Sequence, residues 1–301
     1  MRIGVAATPE VAIPTLNWLL QSEHTIDLII TQPDRPAGRG RLLQQSVVAD
    51  WADANQITVL KPEGSQELLG KIEHLDLVLT IGYGVLLPLN ILALPKFGFL
   101  NLHFSLLPAY RGAAPAQRAL LNGETVTGVS VFQLDKGMDT GPVYTQESID
   151  IEPTWRSFEL LQNLAELGPA VVHNSFEMIK NGESPRVQEG APSIAAKIEK
   201  AEARLDFTKD VIEISNAIRA FTYEPGAWTL WRDEPFKICS TGVSGSSKGA
   251  TGEISVFDKS VFVSCANGSL EILRVVPAGK KEMDAIEWAR GARLIGGEVF
   301  G

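Results

Sequence analysis

The chain has 301 residues, 45% hydrophobic and 21% charged, with 27 Gly, 17 Pro and 2 Cys. That length favours about two domains, and the composition excludes a disordered, fibrous or disulfide-built chain. The formal charge of −9 argues against an evenly basic binder of nucleic acid, whose affinity comes from Lys and Arg on phosphates.

The charge is unevenly spread. Residues 1 to 206 hold 16 Lys and Arg against 24 Asp and Glu, whereas 207 to 301 hold 11 against 12, so local basic patches need their own reading. No stretch approaches the ~18 consecutive apolar residues of a membrane span, and the start MRIGVAATPE reads as a strand rather than a cleavable leader. A cytoplasmic protein without a membrane partner is expected. Cys239 and Cys265 cannot build a disulfide framework, although one bridge stays open. Four separate histidines make a Cys/His metal cage unexpected.

From Arg2 to about Asp150, apolar runs of strand length alternate with helical patterns, the mark of a parallel sheet covered by helices. Strands are predicted at Arg2 to Ala7, Ile26 to Thr31, Leu75 to Ile81, Phe97 to His103 and Val126 to Leu134. The first three are nearly continuous Val, Ile and Leu, as strands buried on both faces must be. Helices are predicted at Pro14 to Gln21 and Ser46 to Asn55. A further helix runs from a Thr154 cap to about Asn181, with Gly168 and Pro169 expected to interrupt or kink it. After a charged connector and a helix over Val211 to Phe221, short strands separated by turn residues suggest a small β-barrel of OB type. The expected fold is therefore α/β: a Rossmann-like, mostly parallel N-terminal domain over 1–190, a linker over 191–206 and a smaller C-terminal β-barrel, OB-like domain over 207–301.

The segment LNLHFSLLPAYRGAAP, Leu100 to Pro115, carries the most chemistry. Asn101 and His103 stand two apart at the end of a predicted strand, so their side chains share a face. In open α/β sheets the carboxyl ends of strands line the ligand crevice. The pair alone is equally compatible with a satisfied core histidine and a turn asparagine. The loop DKGMDTGP, Asp135 to Pro142, adds a carboxylate: Asp139 reaches His103 if their strands are neighbours. A carboxylate beside an imidazole orients it and raises its basicity, and an asparagine amide offers a fixed donor to a developing oxyanion. Ser105 lacks the Gly-x-Ser-x-Gly elbow of hydrolases on such sheets, so the nucleophile is expected from a substrate.

Asn101-x-His103, Ser105-Leu-Leu-Pro108, Arg111-Gly-Ala-Ala-Pro115 and Asp139-Thr-Gly141 together resemble the 10-formyltetrahydrofolate-dependent formyltransferases. The loop TQPDRPAGRGRLL, Thr31 to Leu43, is similar to the insertion that distinguishes the methionyl-tRNA branch of that family. The resemblance continues through Tyr83-Gly84, Leu86-Leu-Pro88, Ala165-Glu-Leu-Gly168, Glu202-Ala-Arg204-Leu-Asp206 and Pro277 to Met283, nearly the whole chain. It implies transfer of formyl from 10-formyltetrahydrofolate, a cosubstrate, to the amine of methionine on initiator methionyl-tRNA, by a monomer that needs no metal.

By motif, the resemblance implies Asn101, His103 and Asp139 as catalytic residues. It places Tyr83, Leu86, Leu87, Ser105, Leu106, Leu107 and Pro108 at the folate, and Arg35, Arg39, Arg41, Lys280 and Lys281 at the tRNA. Read without it, the arginine loop is a surface turn, Lys280-Lys281 a solvated one, and Tyr83 to Pro88 plain core and loop. Phe104 stands where the family often has a small residue, and Arg219 to Gly226 alters the family's domain-joining stretch. The C-terminal charge is weak for an RNA track, which would need Lys237, Lys248, Arg274, Lys280, Lys281 and Arg290 on one face. A formyltransferase for an amino sugar nucleotide, a hydrolase of formyltetrahydrofolate and a catalytically idle RNA-binding protein are the competing readings.

Overall fold

The structure, a computed structural model, describes residues 1–37, 42–245, 249–294 and 296–301. Arg39, Arg41 and Lys248 lie outside them. In chain order the N-terminal strands and helices are β1 (Arg2–Ala7), α1 (Ile13–Gln21), β2 (Thr25–Ile30), β3 (Arg35–Ala37), β4 (Leu42–Gln44), α2 (Val47–Ala54), β5 (Val59–Leu60), β6 (Leu77–Ile81), α3 (Leu89–Leu92), β7 (Phe99–His103), β8 (Arg111–Gly112), α4 (Pro115–Leu121), β9 (Val126–Gln133) and β10 (Val143–Asp150). There follow α5 (Ser157–Lys180), β11 (Ile194–Ala195), α6 (Val211–Phe221), β12 (Trp228–Trp231), β13 (Glu234–Ser244), β14 (Ile254–Phe257), β15 (Ser260–Ser264), β16 (Ser269–Pro277), β17 (Met283–Asp284) and α7 (Ala285–Ala292). The chain divides into two compact units, one of Met1–Pro115, Val126–Asp150 and Leu161–Ala195, the other of Ala116–Thr125, Ile151–Leu160 and Ala196–Gly301.

The first unit is built on a seven-stranded sheet in the order β10-β9-β7-β6-β1-β2-β5. The chain leaves β1 for β2 and β5 on one side and returns through β6 and β7 on the other. The order therefore reverses between β1 and β6, whose neighbouring carboxyl ends, Ala7 and Ile81, open a crevice. Strands β1 and β6 are buried along almost their whole length, which explains their unbroken apolar sequence.

The sheet is mostly parallel, as expected, with two antiparallel pairings at one edge. Strand β9 runs antiparallel to β7, with Leu100 opposite Gln133 and His103 opposite Ser130, and β10 runs antiparallel to β9. The sequence pattern predicts no strand at β10, because VYTQESID carries its polar residues on an exposed edge and shows no apolar run.

The long helix also differs from expectation. It begins at Ser157 rather than behind a Thr154 cap, and it continues through Pro169 to Lys180. Proline in a helix interior removes a hydrogen bond and usually breaks the helix. Here the helix continues past it, closely packed at the preceding residue. A Cβ on Gly168 would stand 2.4 Å from Thr15 Oγ1 and 2.9 Å from Leu102 Cδ2, so only glycine lets α5 lie this close to α1 and the sheet.

The second unit carries an antiparallel sheet in the order β12-β13-β16-β15-β14, with β17 beside β16. The edges of this sheet are not left open. Ile254 N–H donates to Glu298 O and Phe300 N–H to Gly252 O at β14, while Leu230 and Gly301 exchange two 3.0 Å backbone hydrogen bonds at β12. The chain's last residues thus pair with both edges, as a barrel requires. Its core is aromatic: Phe236 lies 4.6 Å from Trp288 and 5.1 Å from Phe300, which stacks on Phe207 at 5.7 Å. Cys239 and Cys265 are both buried and free.

Candidate active site

Strand β7 reads FLNLH, with Leu100 and Leu102 buried on one face and Asn101 and His103 on the other. Its carboxyl end opens on a cavity of about 410 Å³ beside the switch point. Thr80, Tyr83, Leu86, Asn101, His103 and Asp139 are among its walls. The geometry brings together the three polar side chains that the sequence singles out.

His103 is only 6% exposed. Its Nε2 lies 2.9 Å from the carbonyl of Tyr110, an acceptor only, so Nε2 carries a proton and donates. Nδ1 is left to face Asp139 Oδ2 at 3.7 Å. Burial pushes the imidazole below its ordinary value, against the opposing pull of the Asp139 carboxylate and the Tyr110 carbonyl. At rest the ring is therefore neutral, with a lone pair on Nδ1. An imidazolium formed during reaction would gain the neighbouring carboxylate.

Asp139 does not reach His103 as a simple strand end, since β9 runs the other way. The loop after β9 doubles back. Asp135 Oδ1 accepts from Gly137 N–H at 3.0 Å and from Thr140 Oγ1 at 2.7 Å, winding the loop on itself. Gly141 must be glycine, because a Cβ there would stand 1.8 Å from Gln133 O. Asp139 itself takes the left-handed conformation, φ 55°, which aspartate tolerates better than most residues. Its Oδ2 accepts the Gly112 N–H at 2.7 Å.

The wall that the sequence assigned to the folate divides in two. Tyr83, Leu86 and Leu87 line the cavity, and Leu86 is 79% exposed at its mouth. Ser105, Leu106, Leu107 and Pro108 do not line it. Ser105 is fully buried and its hydroxyl donates to Ala109 O at 2.6 Å, so it cannot serve as a nucleophile. Ser130 Oγ donates to Ser105 O and accepts from Leu107 N–H, holding this turn behind the site. Phe104 lies on the cavity wall.

Of the cations assigned to RNA, Arg35 donates to Gln32 Oε1, and Gln32 Nε2 donates to the Tyr83 carbonyl at 2.7 Å. The root of the arginine loop is thereby tied to the cavity wall. In the second unit Lys280 and Lys281 are exposed. Arg274 is paired with Glu282 and Asp284, and Lys237 donates to Pro225 O, so these two are already engaged. Sequence reasoning gave no role to Gln32, Arg111, Gln188 or the Gly112 N–H. Arg111 and Gly112 open the Arg-Gly-Ala-Ala-Pro motif, whereas Gln32 and Gln188 carry no periodic signal.

Residues 1–175 match the family described as formyl transferase and residues 197–293 its C-terminal domain. The chain belongs to the formyl transferase family. Among its relatives is the methionyl-tRNA formyltransferase of Salinispora tropica, 41% identical over 308 residues and the full length of both chains. Another, from Thermobifida fusca, is 41% identical over 309 residues, covering 100% of this chain and 99% of the relative. The formyl transferase fold extends further: an N-formyltransferase from Helicobacter canadensis, solved with folinic acid and dTDP-3-aminofucose, superposes with a TM-score of 0.67 at 20% identity. That match covers 93% of this chain and 99% of the other.

Proposed function

We propose that this formyl transferase moves the formyl group of 10-formyltetrahydrofolate to the α-amino group of methionine on initiator methionyl-tRNA. The observation that carries the reading is a site with a base, a carboxylate and an amide donor around one cavity, whose motif hydroxyl, Ser105, is buried and already engaged. The nucleophile must then arrive with a substrate. Relatives named methionyl-tRNA formyltransferase, matched end to end at about 40% identity, favour methionyl-tRNA as that substrate.

In the proposed mechanism the amine nitrogen attacks the formyl carbon, and the Asn101 amide stabilises the oxyanion of the tetrahedral intermediate, joined by the charge of His103 once its Nδ1 is protonated. The amine's proton passes to Nδ1 of His103, and Asp139 holds the resulting imidazolium. Collapse breaks the bond from carbon to N10 of the folate. That nitrogen takes the proton back from the imidazolium, leaving a formamide and tetrahydrofolate. Tyr83, Leu86 and Leu87 would bind the donor, with Ser105 to Pro108 supporting the site from behind. Arg35, Arg39, Arg41, Lys280 and Lys281 would bind the tRNA. Residues 1–190 would then hold the chemistry, 191–206 the connection and 207–301 further tRNA contacts, in a cytoplasmic monomer.

The test is transfer of radiolabelled formyl from the folate to charged initiator tRNA, set against charged elongator tRNA, an amino sugar nucleotide and water. Preferential labelling of the initiator tRNA is expected. Labelling of the sugar instead, or release of free formate, would move the activity to another acceptor.

A further inference from the structure

Gln188 stands in the segment between the two matched regions of the family, outside both. Its amide nitrogen donates to the carbonyls of Asp139 and Gly141, each at 2.8 Å. Its Oε1 accepts Nε–H and Nη2–H of Arg111, at 3.1 and 2.6 Å. The residue after Arg111 is Gly112, whose N–H holds the Asp139 carboxylate at 2.7 Å. The contacts close into a ring: Arg111 side chain, Gln188, Asp139 backbone, Asp139 carboxylate, Gly112 and back to Arg111.

This ring sits where the backbone most needs holding. Asp139 is in the left-handed region, and the loop around it is a turn between antiparallel strands with no ladder of its own. One side-chain amide bridging the carbonyls of residues 139 and 141 fixes both ends of that turn. The guanidinium on its Oε1 polarises the amide and strengthens both donations, as charge-assisted networks do at low dielectric. β8 is anchored independently by its parallel pairing with β11, so the clamp ties the loop to a fixed point.

We propose that Gln188 is a positioning residue for catalysis: its amide clamps the Asp139 loop to Arg111 and sets the distance of the carboxylate from His103. The inference rests on the catalytic assignment above. It predicts a loss in turnover rather than in binding, because neither Gln188 nor Arg111 lines the cavity.

Two variants separate the clamp from mere packing. Gln188→Glu is isosteric and keeps an acceptor for Arg111, but loses both N–H donations and turns an oxygen toward two carbonyls. Gln188→Ala loses everything. If the donations do the positioning, both variants lower kcat for formyl transfer by about 100-fold, the usual consequence of a misplacement near 1 Å, with KM for tRNA and folate unchanged.

A second readout needs no substrate. Asp139 is the charged group acting on His103, beside the neutral Tyr110 carbonyl, and it raises the imidazole pKa. Displacing the carboxylate must lower that pKa, which histidine NMR titration of the full chain reads directly, with His103→Asn assigning the signal. Wild-type kcat in Gln188→Glu, or an unchanged His103 titration in both variants, overturns the clamp. A wild-type protein that forms no formyl product with any acceptor would instead overturn the proposed function, while the titration still decides the clamp.

Discussion

Asp139 Oδ2 lies 3.7 Å from His103 Nδ1 while accepting a 2.7 Å hydrogen bond from the Gly112 backbone, so the carboxylate is held beside the imidazole without being bonded to it. In the proposed mechanism that spacing leaves Nδ1 open to a substrate proton and keeps the negative charge close enough to stabilise the cation that would result. Replacement of Asp139 or His103 by alanine should lower kcat by roughly two to three orders of magnitude with the fold intact. Asn101→Ala should do the same, since one oxyanion donor contributes about 3 to 4 kcal/mol. Steady-state rates with charged initiator tRNA, alongside circular dichroism of each variant, check this. Wild-type turnover in any of the three removes that residue from the mechanism.

The pH dependence follows from the same burial. His103 is held below the ordinary imidazole range, chiefly by desolvation, with Asp139 opposing. With the neutral ring as the proposed base, turnover should fall only when acid reaches that lowered pKa. Asp139→Asn removes the opposing charge and should move the His103 titration to still lower pH. Linkage gives a stability counterpart. The unfolded chain takes up the His103 proton near pH 6.5 and the folded chain only lower, so stability falls as pH drops through that window. Thermal melts at pH 7.5 and 6 should show a smaller acid loss in His103→Asn than in wild type.

These residues were legible to different degrees, for physical reasons. Asn101 and His103 could be placed on one face because a strand alternates strictly, and β7 obeys. Asp139 pairs with His103 on the expectation of neighbouring strands, which is what β7 and β9 are. Their antiparallel sense has no signature in the apolar pattern, and the loop's return supplies the proximity. The passage of α5 through Pro169 was hidden because the residues that approach Gly168, Thr15 and Leu102, are distant in sequence. Gln188 was invisible for a like reason: its partners are backbone carbonyls some fifty residues away, which leave no pattern around it.

Phe300 ties the end of the chain into the second unit's core. It is 5% exposed, packs against Phe207, Phe236 and Trp288, and its N–H bonds Gly252 at the edge of β14. Phe300→Ala removes a buried ring and leaves a cavity, a change that costs about 3 to 5 kcal/mol in a packed core. A lowered denaturation midpoint is expected by calorimetry or urea titration. A loss under about 1 kcal/mol would mean that the tail is not part of the cooperative core.

Gln32 and the loop arginines should separate the two substrates kinetically. Gln32 donates to the Tyr83 carbonyl on the cavity wall and accepts from Arg35, so Gln32→Ala frees the wall without touching the loop's other charges. KM for the folate donor should rise, with kcat nearly preserved, since His103 and Asp139 are held by Tyr110 and Gly112 rather than by Gln32. Arg39→Ala with Arg41→Ala should act on the other substrate. Arginine grips phosphates or base edges with two hydrogen bonds that water replaces poorly, so KM for charged tRNA rises. Its salt dependence weakens by about one unit of slope for each phosphate no longer neutralised. A double variant with unchanged tRNA kinetics and unchanged salt slope would leave the chemistry standing and remove the loop from recognition. A Gln32→Ala effect confined to tRNA would assign Gln32 to the loop rather than to the folate wall.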